Sequence, residues 1–435
     1  MQFKRSIILQ LLAVVCPGPA VVAQSSWDSG YRVEIRAGYR DSDQERFQLR
    51  FPFPPAFLPV GQSAGWLETV DPGQHFELSV ASLQLDARYG RWFHARAKVH
   101  AIDKYRRNPT SSDRKSDIDE LFLVVGDMPE FLERPEGTSL FALAGKSPRM
   151  ERQPVRLLES YGLAANSFNR FEDVQAIVGG TIGRNFYWRV QAANGNPLYF
   201  RDANALAGDN GIPELREPNP DPDLKSGFPI LYNAETEDLF FKTDSLQLGQ
   251  AIGYRWATED QSSGFDIIVF HYRRDLDDTA ELTGTFYGAD LDLLDAFGDG
   301  GGLPLEGRNK EEYGARLYGE LRGLTAIVQY TRQEVAGLDR AAWEVEAGYR
   351  IALPWSVAHS IQPAVRFSDL TNDFAGDPLR HPAPSIWWDW RKLDYGLRIG
   401  LAGNVDVTFE RSTHDVEAPR ELDLDETLVT LRWRM

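Results

Sequence analysis

The stretch YRVEIRAGYR, residues 31–40, puts Tyr31, Val33, Ile35, Ala37 and Tyr39 on one side of an extended chain and Arg32, Glu34, Arg36 and Arg40 on the other. A period of two is the signature of a strand. The pattern returns along the chain: Phe93, Ala95, Ala97 and Val99 alternate with His94, Arg96, Lys98 and His100; Trp343, Val345, Ala347 and Tyr349 with Glu344, Glu346 and Arg350; Val405, Val407 and Phe409 with Asp406 and Glu410. No helical period of comparable quality interrupts it, so the sequence predicts an all-β chain.

Two architectures satisfy such a pattern: antiparallel sandwiches with their apolar faces inward, or a transmembrane antiparallel β-barrel with its apolar face outward. Connection lengths separate them, because an outer-membrane barrel alternates short periplasmic turns with longer extracellular loops. Very short connections fall at residues 90–91, 183–185, 322–323 and 403–404. Long polar stretches fall at about 41–73, 104–116, 148–170, 195–245, 275–310, 370–392 and 413–425. Reading strands at roughly 31–40, 74–89, 91–103, 117–125, 139–147, 171–181, 186–194, 246–257, 264–274, 311–321, 324–334, 341–352, 358–369, 393–401, 404–412 and 426–435 gives sixteen, provided that 46–51 and 281–288 belong to loops or strand extensions. Every tight turn then lies on one side and both termini are periplasmic. The last strand, LVTLRWRM, faces lipid with Val429, Leu431, Trp433 and Met435 and must pair with the first, since open sheet edges are not tolerated in hydrocarbon.

The N-terminus supports this compartment. Lys4 and Arg5 precede the apolar SIILQLLAVV, and VVA at 21–23 has the small residues of a cleavage site, so 1–23 reads as a secretory signal peptide and 24–435 as the barrel. Removing 1–23 deletes Cys16, the only cysteine, and moves the net charge from −17 to −19. A chain so acidic is a poor partner for nucleic acid by bulk electrostatics. No later stretch has the eighteen or so consecutive apolar residues of a membrane helix.

With its signal peptide, even strand count and alternating final strand, the chain resembles a Gram-negative outer-membrane porin, although it ends in Met435 where such proteins usually end in Phe. The segments DELFLVV, LFALAGKSP, RMERQPVRLLESYGLAANSFNR and FEDVQAIVGGTIGRNFYWRVQAANGN follow the layout of the phosphate-selective porin O/P group. The resemblance implies sixteen strands, a third loop folded into the lumen, a basic pore lining and a homotrimer in the outer membrane, with lipid and lipopolysaccharide around it.

In a porin, lumenal charge sets selectivity. The third loop carries Lys146, Arg149, Arg152, Arg156 and Arg170 against Glu151 and Glu159, a basic excess that would line the constriction if the loop folds inward; the alternative is a solvated surface loop with local pairs. Arg32, Glu34, Arg36, Arg96, Lys98, Arg398, Arg432 and Arg434 form a second lumenal group, and Glu344, Glu346, Asp406 and Glu410 an acidic wall opposite. The acidic runs 213–223 and 290–302 lack EF-hand spacing, so no metal or cofactor is expected. IWWDWRK, 386–392, reads as an interfacial anchor. The seven histidines form no HExxH pair, GxSxG is absent, and His359 and Ser360, adjacent on a strand, should point to opposite faces; no enzyme is expected. The expected function is passive diffusion of small hydrophilic solutes with a lean toward anions. A substrate-specific channel for sugars, acidic glycans or aromatic acids, and a surface β-protein binding ligands through its loops, are the alternatives.

Overall fold

The computed structural model describes residues 27–42, 46–49, 65–68, 73–101, 116–129, 137–168, 172–194, 230–231, 246–260, 262–276, 284–286, 289–290, 307–374, 389–417 and 421–435. The proposed signal peptide and both acidic runs, apart from Asp290, lie outside them. Sixteen strands form the wall: β1 (Trp27–Ser42), β2 (Gly73–Tyr89), β3 (Phe93–Ala101), β4 (Ser116–Gly126), β5 (Ser139–Pro148), β6 (Glu172–Ile182), β7 (Phe186–Ala193), β8 (Gln247–Ala257), β9 (Ser263–Asp275), β10 (Asn309–Leu321), β11 (Leu324–Val335), β12 (Leu338–Tyr349), β13 (Ala358–Asn372), β14 (Asp389–Leu401), β15 (Val405–Glu417) and β16 (Glu421–Arg434). Each pairs antiparallel with its sequence neighbours, and β1 pairs with β16 from Glu34↔Arg434 to Ser42↔Glu426. Val33 and Met435 exchange both backbone hydrogen bonds, at 2.9 and 3.0 Å, so the final strand is tied down to its last residue.

The distribution of polarity is inside out. Leu248, Ile252, Val269 and Leu431 are exposed on the outer face, whereas Gln329, Glu344, Glu346 and Arg366 are buried on the inner one. Such a wall suits hydrocarbon outside and polar contents inside. Aromatic residues mark the two rims of the apolar band: Trp27 packs on Tyr89 and Phe93 at the periplasmic end, and Tyr39 on Phe76 at the other. The protein is a closed sixteen-stranded antiparallel barrel with an apolar outer face.

Two details differ from the sequence reading. Val335 and Leu338 pair across a two-residue turn, Ala336–Gly337, at the end assigned to long loops. Both turn residues have positive φ, 51° and 87°, the geometry that matches hairpin twist. Likewise β15 runs on to Glu417, and only three residues separate it from β16. Tight turns therefore occur at both ends of the barrel. The stretches set aside as loop structure do stay out of the wall: Arg46–Leu49 pairs with Gly65–Glu68, and Gly284–Phe286 with Ile230–Leu231 and Ala289–Asp290.

A barrel of sixteen strands encloses more space than its own side chains fill. Here two additions reduce it. Inward residues of β4 to β9, among them Phe122, Phe141, Leu143, Ile177, Phe270 and Tyr272, meet Met150 in one apolar cluster. The connection after β5 then crosses the interior, with one short helix, α1 (Leu163–Ser167), on its return.

Candidate functional site

The third loop is fastened to the inner wall through its peptide groups. Its outgoing arm crosses to β11 and β12, where Gln153 donates to Glu344 at 3.0 Å and the backbone N–H groups of Leu157 and Leu158 both donate to Glu346, at 2.8 and 3.0 Å. Farther on, the Glu159 and Ser160 N–H groups donate to Glu410 on β15, at 2.8 and 3.2 Å. Cations of the wall take the carbonyls: Arg366 donates to Ser160 O at 2.9 Å, Lys392 to Tyr161 O at 2.8 Å and Arg340 to Ser167 O at 2.8 Å. Buried peptide groups need such partners, and a loop inside a barrel has no strand to supply them.

Packing seats the same segment. Leu157 and Leu158 are buried against Ala364. A Cβ at Gly348 would come within 3.1 Å of Leu157 Cδ1, and one at Gly396 within 2.9 Å of Leu158 Cδ2. Small inward residues on β12, β13 and β14 thus form the socket for two leucines.

The acidic wall is accordingly not a free face of the lumen. Glu344, Glu346 and Glu410 are buried beneath the loop, and their charge is met by loop N–H groups. The expected electrostatic division between two bare walls is replaced by this fastening.

The tip of the loop carries Glu159. Its carboxylate accepts from Arg398 at 2.8 Å and Arg432 at 3.0 Å, and Arg36 and Arg156 stand at 3.7 and 3.8 Å. Burial pushes this carboxyl up, but Arg36, Arg432, Arg156 and Arg398 together outweigh burial and hold it well below the usual carboxylate range. Glu34 binds Arg36 at 2.6 Å and Arg434 at 2.8 Å, and Asp406 binds Arg432 at 2.9 Å. Around the β16–β1 seam five arginines, Arg36, Arg156, Arg398, Arg432 and Arg434, therefore face three carboxylates. Arg32 lies on the same face of β1 and is exposed.

A second ionic group lines β2 to β4. Asp86 accepts from His94 and Arg96, each at 2.8 Å. Lys98 pairs with Asp119, Arg96 lies 3.5 Å from Glu120, and Arg152 of the loop pairs with Glu172. Oxygens of Asp119, Glu120 and Glu172 lie within 4.8 Å of one another, a spacing that fits a divalent cation. Arg96, Lys98 and Arg152 already compensate the three charges, so the cluster reads as a closed ionic network. Arg96, Lys98 and Arg152 remain 27%, 25% and 35% exposed.

Two members of the expected basic loop lie elsewhere. Lys146 still belongs to β5, opposite Leu121, whose side chain is exposed on the lipid face. The strand runs on through Pro148, and alternation turns this lysine outward. Arg149 is fully buried: it meets Glu151 at 2.9 Å and Glu312 at 2.8 Å, donates to Phe168 O and stacks 4.3 Å over the Tyr272 ring. It holds the root of the loop and does not face water. Burial, reinforced by Glu312, leaves the Glu151 carboxyl raised despite Arg149. Arg156 lies 3.9 Å from the centre of the Tyr161 ring; Arg170 lies outside the described residues.

Two further expectations change. Trp390 is not an interfacial anchor; it is buried inside and donates to His414 Nδ1 at 3.1 Å. Ser360 and His359 do not point apart, because a bulge between Ala358 and Ser360 brings Ser360 Oγ to 3.2 Å from His359 Nδ1. Among the described residues no carboxylate orients that imidazole, as hydrolytic use of a serine would need.

No protein-family model matches the sequence, and no curated protein matches it. Among solved structures the fold is similar to the outer-membrane channel DcaP of Acinetobacter baumannii, with 9% identity over 94% of this chain and 97% of that one and a TM-score of 0.52. OprB of Pseudomonas putida matches at 9% identity over 94% of both chains with a TM-score of 0.49, and OmpT of Vibrio cholerae, described in its trimer form, at 10% over 94% and 100% with 0.47. At these identities the likeness is one of fold. The class is a transmembrane barrel with the architecture of outer-membrane porins, its interior crossed by the third loop.

Proposed function

We propose that this barrel is a passive diffusion channel for small hydrophilic solutes with a modest preference for anions. The observation that carries the reading is how lumenal charge divides between buried and water-facing positions. Glu344, Glu346 and Glu410 are spent on holding the loop, whereas the arginines at the seam exceed their carboxylates by two and Arg32, Arg96, Lys98 and Arg152 face water. A water-filled passage between the loop and β1 to β4 then carries a positive field although the chain as a whole is acidic. The guanidinium groups suit carboxylate and phosphate oxygens, but nearly all lie on carboxylates already. This favours weak anion preference over the strong selectivity that the phosphate-selective resemblance implies.

The reading includes removal of residues 1–23, no enzymatic step and a homotrimer. Outward ion pairs above the upper aromatic rim, such as Arg391 with Asp369 at 3.2 Å and Arg332 with Asp339, sit where lipopolysaccharide headgroups would meet them. The test is the zero-current potential of the refolded mature protein in a planar bilayer under a KCl gradient. A chloride-preferring potential is expected. Cation preference would overturn the anion reading, and absence of conductance from correctly inserted protein would overturn the channel reading.

A further inference from the structure

On β3 the inward positions run His94, Arg96, Lys98, His100, so two histidines bracket the two permanent cations of the strand. Both side chains are 15% exposed. Among the described residues the other histidines lie elsewhere: His75 is on β2 in register with Arg40 of β1, near the end away from the periplasmic turns, His271 is on the outer face beside Glu311, His414 is buried beneath Trp390, and His359 is at the periplasmic end.

The surroundings of each are defined. His94 Nε2 lies 2.8 Å from Asp86 of β2, its register partner there is Arg88, and on the β4 side it meets the Phe122 ring edge-on at 5.8 Å. His100 Nδ1 lies 3.4 Å from Asp119 of β4, with Lys98 on its own strand, Ser82 opposite on β2, and Asp117 as its register partner on β4. From the loop, Arg152 acts on Asp119. The fixed cations placed here, Arg88, Arg96, Lys98 and Arg152, face Asp86, Asp119, Glu120 and Glu172, with Asp117 of β4 in register with His100 and Asp28 of β1 in register with Arg88. With both imidazoles neutral this arm of the lumen carries no excess of fixed cations, while the seam arm carries an excess of two.

We infer that His94 and His100 are selectivity-determining groups of the lumen, and that their protonation makes the anion preference rise as the medium turns acidic. The inference rests on the channel reading above. Histidine is the side chain whose ordinary titration falls between pH 5 and 8, and both imidazoles lie against carboxylates that accept from the charged form. A charge gained about 6 Å from the ion path, in water and screened at physiological salt, changes the chloride-to-potassium permeability ratio on the order of threefold. Two such charges bring the change close to tenfold.

The test measures zero-current potentials at pH 8 and pH 5.5 for the wild-type channel, for His94→Gln, for His100→Gln and for the double variant, each checked for barrel folding by its heat-dependent shift on a denaturing gel. The expected result is a several-fold rise in the permeability ratio at pH 5.5, reduced in each single variant and lost in the double one. A wild-type ratio that does not change with pH overturns the inference even where chloride is preferred, as does a pH effect that survives both substitutions. A channel that prefers potassium at pH 8, yet shifts toward chloride on acidification only while the histidines are present, upholds their role and overturns the neutral-pH lean. If the double variant does not fold, the single variants and the wild-type pH response still decide.

Discussion

Replacing Glu159 by Gln removes one negative charge from the seam while keeping the shape of the loop tip. The carboxylate lies 2.8–3.8 Å from four arginines, of which Arg36 and Arg398 retain 20% and 15% exposure. For an ion about 6 Å away in water the lost interaction is 332/(80·6), about 0.7 kcal/mol, reduced to about 0.3 kcal/mol by screening at 0.15 M salt. That favours chloride by a factor of about 1.7 and disfavours potassium by the same factor, so the permeability ratio rises about threefold. The loop should stay seated, because Leu157, Leu158 and Ser160 keep their contacts with Glu346 and Glu410. The assay is the zero-current potential in a KCl gradient, with single-channel conductance as the check on loop position. An unchanged potential, or one shifted toward potassium, would refute the placement of this charge beside the ion path; a large jump in conductance would refute the claim that the remaining contacts hold the loop.

The same carboxyl predicts an acid response. Held below its ordinary value of 4.5, Glu159 contributes its full stabilisation above that pH and loses it as the pH falls below; the thermal-midpoint difference between wild type and Glu159→Gln should be constant from pH 8 to 5 and shrink below about pH 4. Glu151 is raised, so Glu151→Gln should leave the midpoint within a few degrees at pH 7, whereas Arg149→Met strands Glu312 and should cost about 3–5 kcal/mol in urea unfolding from liposomes. Replacing both Leu157 and Leu158 by Ser empties the socket over Gly348 and Gly396 and should raise single-channel conductance and its noise, with unchanged conductance counting against a seated loop. Lys146→Gln should leave the potential as it is, since that side chain faces outward; a shift toward potassium would place it in the lumen after all.

The wall was legible because each strand carries its own period of two, and lipid demands an apolar outer face whatever the interior holds. Residue counts between strands gave the sidedness, but expected strands at 324–334 and 341–352 leave six residues between them where the turn uses only Ala336 and Gly337. The lumen was harder. Glu344, Glu346 and Glu410 look alike whether they face water or receive peptide N–H groups, since both placements fall on the inward register. The signal for the second was present in Gly348, Ala364 and Gly396, small residues at inward positions on consecutive strands, which leave room for something from outside the sheet. Arg149 and Arg152, three residues apart in one loop, have opposite environments that no local pattern encodes; partners more than a hundred residues away, Glu312 among them, decide it.

Glu159 touches Arg36 on the first strand and Arg432 on the last, so its ring of four arginines is complete only when the two ends of the chain have met. During assembly the loop has its wall contacts from β10 to β15, Arg398 included, but lacks Arg36 and Arg432 at its tip. The final charge balance of the lumen is thereby coupled to closure: an incomplete barrel leaves Glu159 with Arg398 and Arg156 alone, and a finished one surrounds it with four arginines. The carboxylate that tunes the field of the mature channel also registers that the cylinder has been sealed.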